Sequence, residues 1–158
     1  ATYGIDGVPR PDSLTFELLI DGHARALEPA GAVRALNALL AEGLELTKGV
    51  ADGIVRAHAL AGEDDVVRLF IGNLVRTSLA PPLWPDEDTY GPVLREKARV
   101  QDLLGLLRWL DRMSTHVRPN VDTARIVLSA HLVAEQHRQG LHVYQYLLDI
   151  GTGDEIEA

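Results

Sequence analysis

Cysteine is absent from this 158-residue chain. Disulfides, thiolate nucleophiles and cysteine-based zinc sites are excluded with it. Aromatic residues make up only 5%. A core must therefore be assembled from Leu, Val, Ile and Ala, which favours packed helices over a β-sandwich. No apolar run approaches the ~20 residues needed to span a bilayer. Residues 1–16, ATYGIDGVPRPDSLTF, carry no basic stretch followed by an apolar one, as a signal peptide would. The expectation is a cytoplasmic protein without a membrane span. Walker A, Gly-x-Gly-x-x-Gly, His-Glu-x-x-His, a serine elbow, an EF-hand loop and repeated Glu-x-x-His are all missing. DIGTGDE, residues 149–155, holds two glycines but follows a helical pattern, so the phosphate-loop context fails. No cofactor is implied, no metal ligand set is assigned, and no internal repeat stands out.

The residues present are those of an ordinary globular protein, with 46% hydrophobic and 24% charged. The length suits one domain with a sizeable core. A formal net charge of −8 repels nucleic acid from the average surface, so no generic nucleic-acid partner is expected unless basic residues cluster locally.

Periodicity divides the chain into an irregular arm (1–13), a single helical domain with an N-terminal hairpin (14–150) and an acidic tail (151–158). In LTFELLIDGHARALE two short apolar runs flank Asp21-Gly22, a turn signal that predicts a β-hairpin. Pro29 suits the first turn of a helix that stops at Gly43. LELTKGVADGIVRAHALAG and EDDVVRLFIGNLVRTSLA read as two more helices. The prolines of APPLWPDEDTYGP break the pattern. A long helix follows over about 93–116, and a last one, capped by Asn120 or Asp122, runs to Ile150. The expected fold is mainly α: a bundle of about five helices with a short β-hairpin.

The stretch SAHLVAEQHRQGLHVYQYLLD (129–149) holds three of the six histidines. On one continuous helix His131, Glu135, Arg138, His142 and Asp149 share a polar strip, and His137 falls on an apolar stripe. A solvated strip is a ladder of pairs worth ~0.2–0.5 kcal/mol each. A sharper reading makes His131, Glu135 and His137 candidates for acid–base or ligand chemistry. His137 is expected in the core, with one ring nitrogen satisfied by a carbonyl or a side chain. His131 and Glu135 resemble the His-x-x-x-Glu of hemerythrin-like bundles, without the companion motifs. Arg112–His116 and Arg138–His142 are similar to the Arg/His motif of HEPN-type RNases, one residue short in spacing.

Lys97, Arg108 and Arg112 line one face of the expected long helix and are anion-binding candidates. Trp84 sits between prolines, and with Tyr90, Tyr144 and Tyr146 it makes up the candidate partner-binding set. Two functions are compatible with all this. One is a non-enzymatic helical protein that self-associates, as a homo-oligomer or as a structural subunit of a larger protein assembly. The other is a small helical enzyme or ligand-binding bundle that uses histidines and Glu135 between helices.

Overall fold

The computed structural model describes residues 10–77 and 83–152, which hold eight α-helices and no strand. In chain order these are α1 (Ser13–Arg25), α2 (Pro29–Ala41), α3 (Lys48–Leu60), α4 (Asp64–Thr77), α5 (Glu87–Arg99), α6 (Leu103–Ser114), α7 (Val121–Val133) and α8 (His137–Thr152). Helices α1–α4 gather in one compact unit and α5–α8 in a second, divided between Trp84 and Pro85. Most of the expected arm and tail lies outside the described residues. Asp12 and Ser13, assigned to the arm, already start α1.

The expected β-hairpin is a helix. Asp12 accepts from the Thr15 backbone N–H while the Thr15 hydroxyl caps Asp12 in return. Phe16, Ile20 and Ala24 then recur every fourth residue and are buried. Burying that face outweighs the Asp21-Gly22 signal, and Gly22 ends up inside α1 with nothing near the place of its missing Cβ.

The count of five helices also fails, because each of the two long helices is broken by a three-residue turn. Gln101 and Glu135 adopt left-handed backbone (φ 59° and 58°), a conformation normally left to Gly. The residue after each closes the turn: Asp102 N–H donates to the Lys97 carbonyl at 3.0 Å, and Gln136 N–H to that of His131 at 2.8 Å. Leu27 and Gly62 repeat this geometry, with Glu28 N–H bonded to the His23 carbonyl and Glu63 N–H to that of His58, each at 2.9 Å.

The chain is therefore four helical hairpins in one register, and the expectation of no internal repeat is corrected. Side chains of Asp12, Thr47, Asp86 and Asn120 cap the four first helices, each fifteen positions before its turn residue. The spacing is close to the period of helical hairpin repeats. Such hairpins bury little alone and gain a core by stacking. In the first unit α1 packs on α2 and α3, and α3 on α4. In the second, α5 packs on α6 and α7, and α7 on α8. The first core joins Phe16, Ile20, Leu39, Val50 and Ile54, with Phe70 packed against it. Tyr90, Val93, Leu106, Trp109, Met113 and Val127 are buried in the second.

A side-chain clasp spans three of the turns at the same register. His23 Nδ1 lies 3.0 Å from Glu28 Oε2, His58 Nδ1 lies 2.6 Å from Glu63 Oε2, and Lys97 Nζ lies 3.6 Å from Asp102 Oδ2. The fourth hairpin has His131 and Gln136 in these places. There the ring turns inward, and His131 Nδ1 meets the Val127 carbonyl at 2.9 Å.

Candidate functional site

The structure separates the residues of the histidine-rich stretch. His131 is buried on α7, Glu135 is the exposed turn residue, and His137 opens α8 exposed to solvent. The satisfied core histidine is thus His131, and the expectation for His137 is corrected. Its physical reason is the turn at Glu135, which resets the helical phase that had put His137 on the apolar stripe. None of the pairs His131–Glu135, Glu135–Arg138 or Arg138–His142 forms among the described residues. No group of three or more potential metal ligands occurs among them either.

The anion-binding candidates also separate. Lys97 lies in the last turn of α5, nearly buried in its clasp with Asp102, whereas Arg108 and Arg112 are exposed on α6. Arg112 stacks over the Trp109 ring at 5.2 Å, and Trp109 meets Tyr90 edge-on at 6.4 Å. Tyr90 is fully buried, which removes it from the partner-binding set, and its hydroxyl has no hydrogen-bond partner. Burial pushes its phenol above the ordinary range, against a smaller opposing effect of Arg112. Trp84 and Tyr146 are exposed, and Tyr144 is half-buried.

The common register exposes a face that periodicity alone did not reveal. The positions ten, six and two residues before each turn residue lie on one side of each first helix. In the first unit they are Glu17, Asp21 and Arg25 on α1, and Asp52, Arg56 and Leu60 on α3. These charges neutralise one another. Arg56 bridges from α3 to Asp21 of α1, Arg25 Nε donates to the same carboxylate at 2.8 Å, and Lys48 donates to Asp52.

In the second unit the same positions are Gly91, Arg95 and Arg99 on α5, and Arg125, Ser129 and Val133 on α7. They hold three arginines and no acid. Arg95 is exposed, its guanidinium folded over Gly91, and it has no acidic partner among the described residues. Arg125 meets Asp122 only through one 3.3 Å contact between two exposed side chains, an attachment worth ~0–1 kcal/mol that another anion can replace. Arg99 is held more firmly, with Nε and Nη2 on Glu96 at 2.7 and 2.6 Å. That fork keeps the Glu96 carboxyl below its usual range.

Further acids stand at the N-terminal ends of these helices. Asp86, Glu87, Asp88 and Asp122 gather at the N-termini of α5 and α7, where the helix dipoles favour them. Burial, then Asp86, Asp88 and Asp122, raise the Glu87 carboxyl. Glu87 also accepts from the Asn120 amide.

Sequence reading missed Arg95, Arg125 and Ser129 because Arg95 lies 30 or more residues before the other two. Only the register of the caps at 12, 47, 86 and 120 brings them to equivalent places.

No protein-family model matches the chain, and no curated protein matches it. Among solved structures it is similar to the pentatricopeptide repeat protein PPR10 from maize, with a TM-score of 0.71 and 21% identity. The match covers 89% of this chain and 20% of that one, so the chain spans about a fifth of the length of the protein it resembles. The shared feature is the fold of helical hairpins, an all-helical repeat architecture. The same likeness overturns the expectation that no generic nucleic acid would be a partner. That expectation rested on average charge, which says nothing of a local arginine row. No described helix is long and apolar enough to cross a membrane.

Proposed function

We propose that this chain is a helical-repeat scaffold that binds single-stranded RNA, with the phosphate backbone held on the α5–α7 face by Arg95 and Arg125 and a hydroxyl contact from Ser129. The observation that carries the reading is the charge difference at equivalent positions. Two units of one architecture present a self-neutralised face on α1–α3 and an arginine face on α5–α7. Pentatricopeptide repeat proteins, whose fold this chain shares, bind RNA. A planar guanidinium suits a phosphate because it offers paired donors at fixed geometry. An RNA strand would approach with its bases toward the helices and its charge near the arginines, away from the acidic N-terminal ends.

The test is a salt titration of binding to a fluorescent mixed-sequence single-stranded RNA, read by anisotropy. Each phosphate neutralised contributes roughly −0.7 to the slope of log K against log[salt]. Two backbone contacts give a slope near −1.4. An affinity that is absent, or that ignores salt, sinks the reading.

A further inference from the structure

The second unit gathers hydrogen-bond donors around one indole and gives them no acceptor. Phe16, Ala51, Tyr90 and Ala124 all stand eleven places before their turn residues, and all are buried. Packing at this position is met by Phe or Ala, so the Tyr90 hydroxyl is surplus to it. That hydroxyl is closed off from solvent and forms no hydrogen bond. Buried polar groups rarely stay so without a water or an ion to meet them. Tyr90 packs edge-on against Trp109, and the Arg112 guanidinium lies over the same ring. The Trp109 indole N–H forms no hydrogen bond among the described residues either. Arg108 and Arg112, one helical turn apart on α6, are exposed and have no acidic partner among the described residues. Burial pushes the Tyr90 phenol up and the charge of Arg112 opposes it, so the guanidinium is felt at the hydroxyl.

We infer that Tyr90, Trp109, Arg108 and Arg112 form a site for a phosphate dianion, either inorganic phosphate or the terminal group of a small phosphate monoester. A phenol, an indole N–H and a guanidinium can all donate, and an oxyanion is the group that accepts from all three. Two unpaired guanidiniums match the charge of the dianion, and their planar forks suit its oxygens. Asp111, also exposed on α6, pairs with neither arginine and so does not fill the site itself. Arg112 is the moving part, an exposed side chain that shifts with the anion so that one oxygen reaches the hydroxyl. The site draws on none of the residues assigned to RNA and does not rest on that reading.

Trp84→Phe leaves Trp109 as the sole tryptophan, a reporter inside the site. Its emission is followed at neutral pH while inorganic phosphate or glycerol phosphate replaces chloride at constant ionic strength. The expected result is a saturable change, and whichever of the two binds more tightly is the source the site is built for. Arg112→Gln should abolish the change, and Tyr90→Phe should weaken binding roughly tenfold, as loss of a hydrogen bond to a charged group does. Tyr90→Phe should also unfold at the same or a higher denaturant concentration than its parent, because the hydroxyl it removes has no partner. Arg95→Glu with Arg125→Glu should bind phosphate like the parent. The inference is overturned if the emission change fails to saturate with either anion, or if Tyr90→Phe binds phosphate as the parent does. It is equally overturned if the Arg95 and Arg125 substitutions abolish binding, which would put the phosphate on the α5–α7 face.

Discussion

Residues 1–84 hold 7 Lys and Arg against 11 Asp and Glu, and residues 85–158 hold 8 against 12, so both units carry −4. They share hairpin turns, caps and the pairing of first helices. What separates them is the order in which similar charges are set on one face. On the α1–α3 face Asp21 receives both arginines, Arg25 and Arg56, and so ties two helices together. In the second unit, Glu96 holds Arg99 and Asp122 touches Arg125 through one exposed contact, while Arg95 has no acidic partner among the described residues, so the face cancels less completely. Net charge describes neither arrangement, and binding follows the arrangement.

The comparison can be broken most forcefully in the core. Trp109 is 6% exposed and packs on Tyr90, while Phe70, at the same register in the first unit, is only half-buried. Trp109→Ala should cost ~3–5 kcal/mol in denaturant unfolding, and Phe70→Ala distinctly less. Equal costs would mean that the two second helices are anchored alike.

The binding difference is next. Arg95→Glu with Arg125→Glu should weaken RNA at least tenfold and flatten the salt slope. Arg68→Glu, on exposed α4, should leave both nearly unchanged. If Arg68→Glu matters as much, the RNA is not read by the α5–α7 face.

A smaller effect tests the fork that holds Arg99. Arg99→Ala leaves the Glu96 carboxylate without its donors and should lower stability in denaturant unfolding, by less than the core substitutions. The Glu96 carboxyl is held low in the folded state, so its contribution is present above the usual carboxylate range and lost as pH falls through the lowered one. Arg99→Ala should therefore also reduce acid sensitivity, and a pH–stability curve merely shifted downward in parallel would contradict this origin.

The smallest effects lie in the turns. Gln101→Gly and Glu135→Gly relieve left-handed backbone at non-glycine residues and should each gain up to ~1 kcal/mol. Gly62→Ala, in the first unit, should lose about as much. Thermal melts that leave Gln101→Gly at or below the parent stability would show that its side chain, bonded to the Ala98 carbonyl, compensates for the strain.

Part of this fold was legible in the sequence. Pro29 starts α2, Gly43 ends it with positive φ, and Asn120 caps α7 as its position suggested. These are places where one residue type has one local job. The misses have an equally local cause. Gln101 and Glu135 make glycine-type turns without glycine, so two helix pairs read as two long helices, and every face assigned across those turns rotated. The Asp21-Gly22 pair pointed the other way, a turn signal placed where burial of Phe16, Ile20 and Ala24 demanded a helix. Within the proposed site Lys97 was singled out for its charge but serves a turn clasp. Arg95 and Arg125 carry no local mark, because only the repeat register pairs them.

The clasps have a mechanical consequence. Three hairpins are latched across their turns by an ionic or imidazole–carboxylate contact, and the fourth, with His131 turned to Val127 and Gln136 outside, is not. Opening any of the first three hairpins breaks such a latch, whereas the α7–α8 hairpin is held by its turn hydrogen bond and by the packing of α7 on α8.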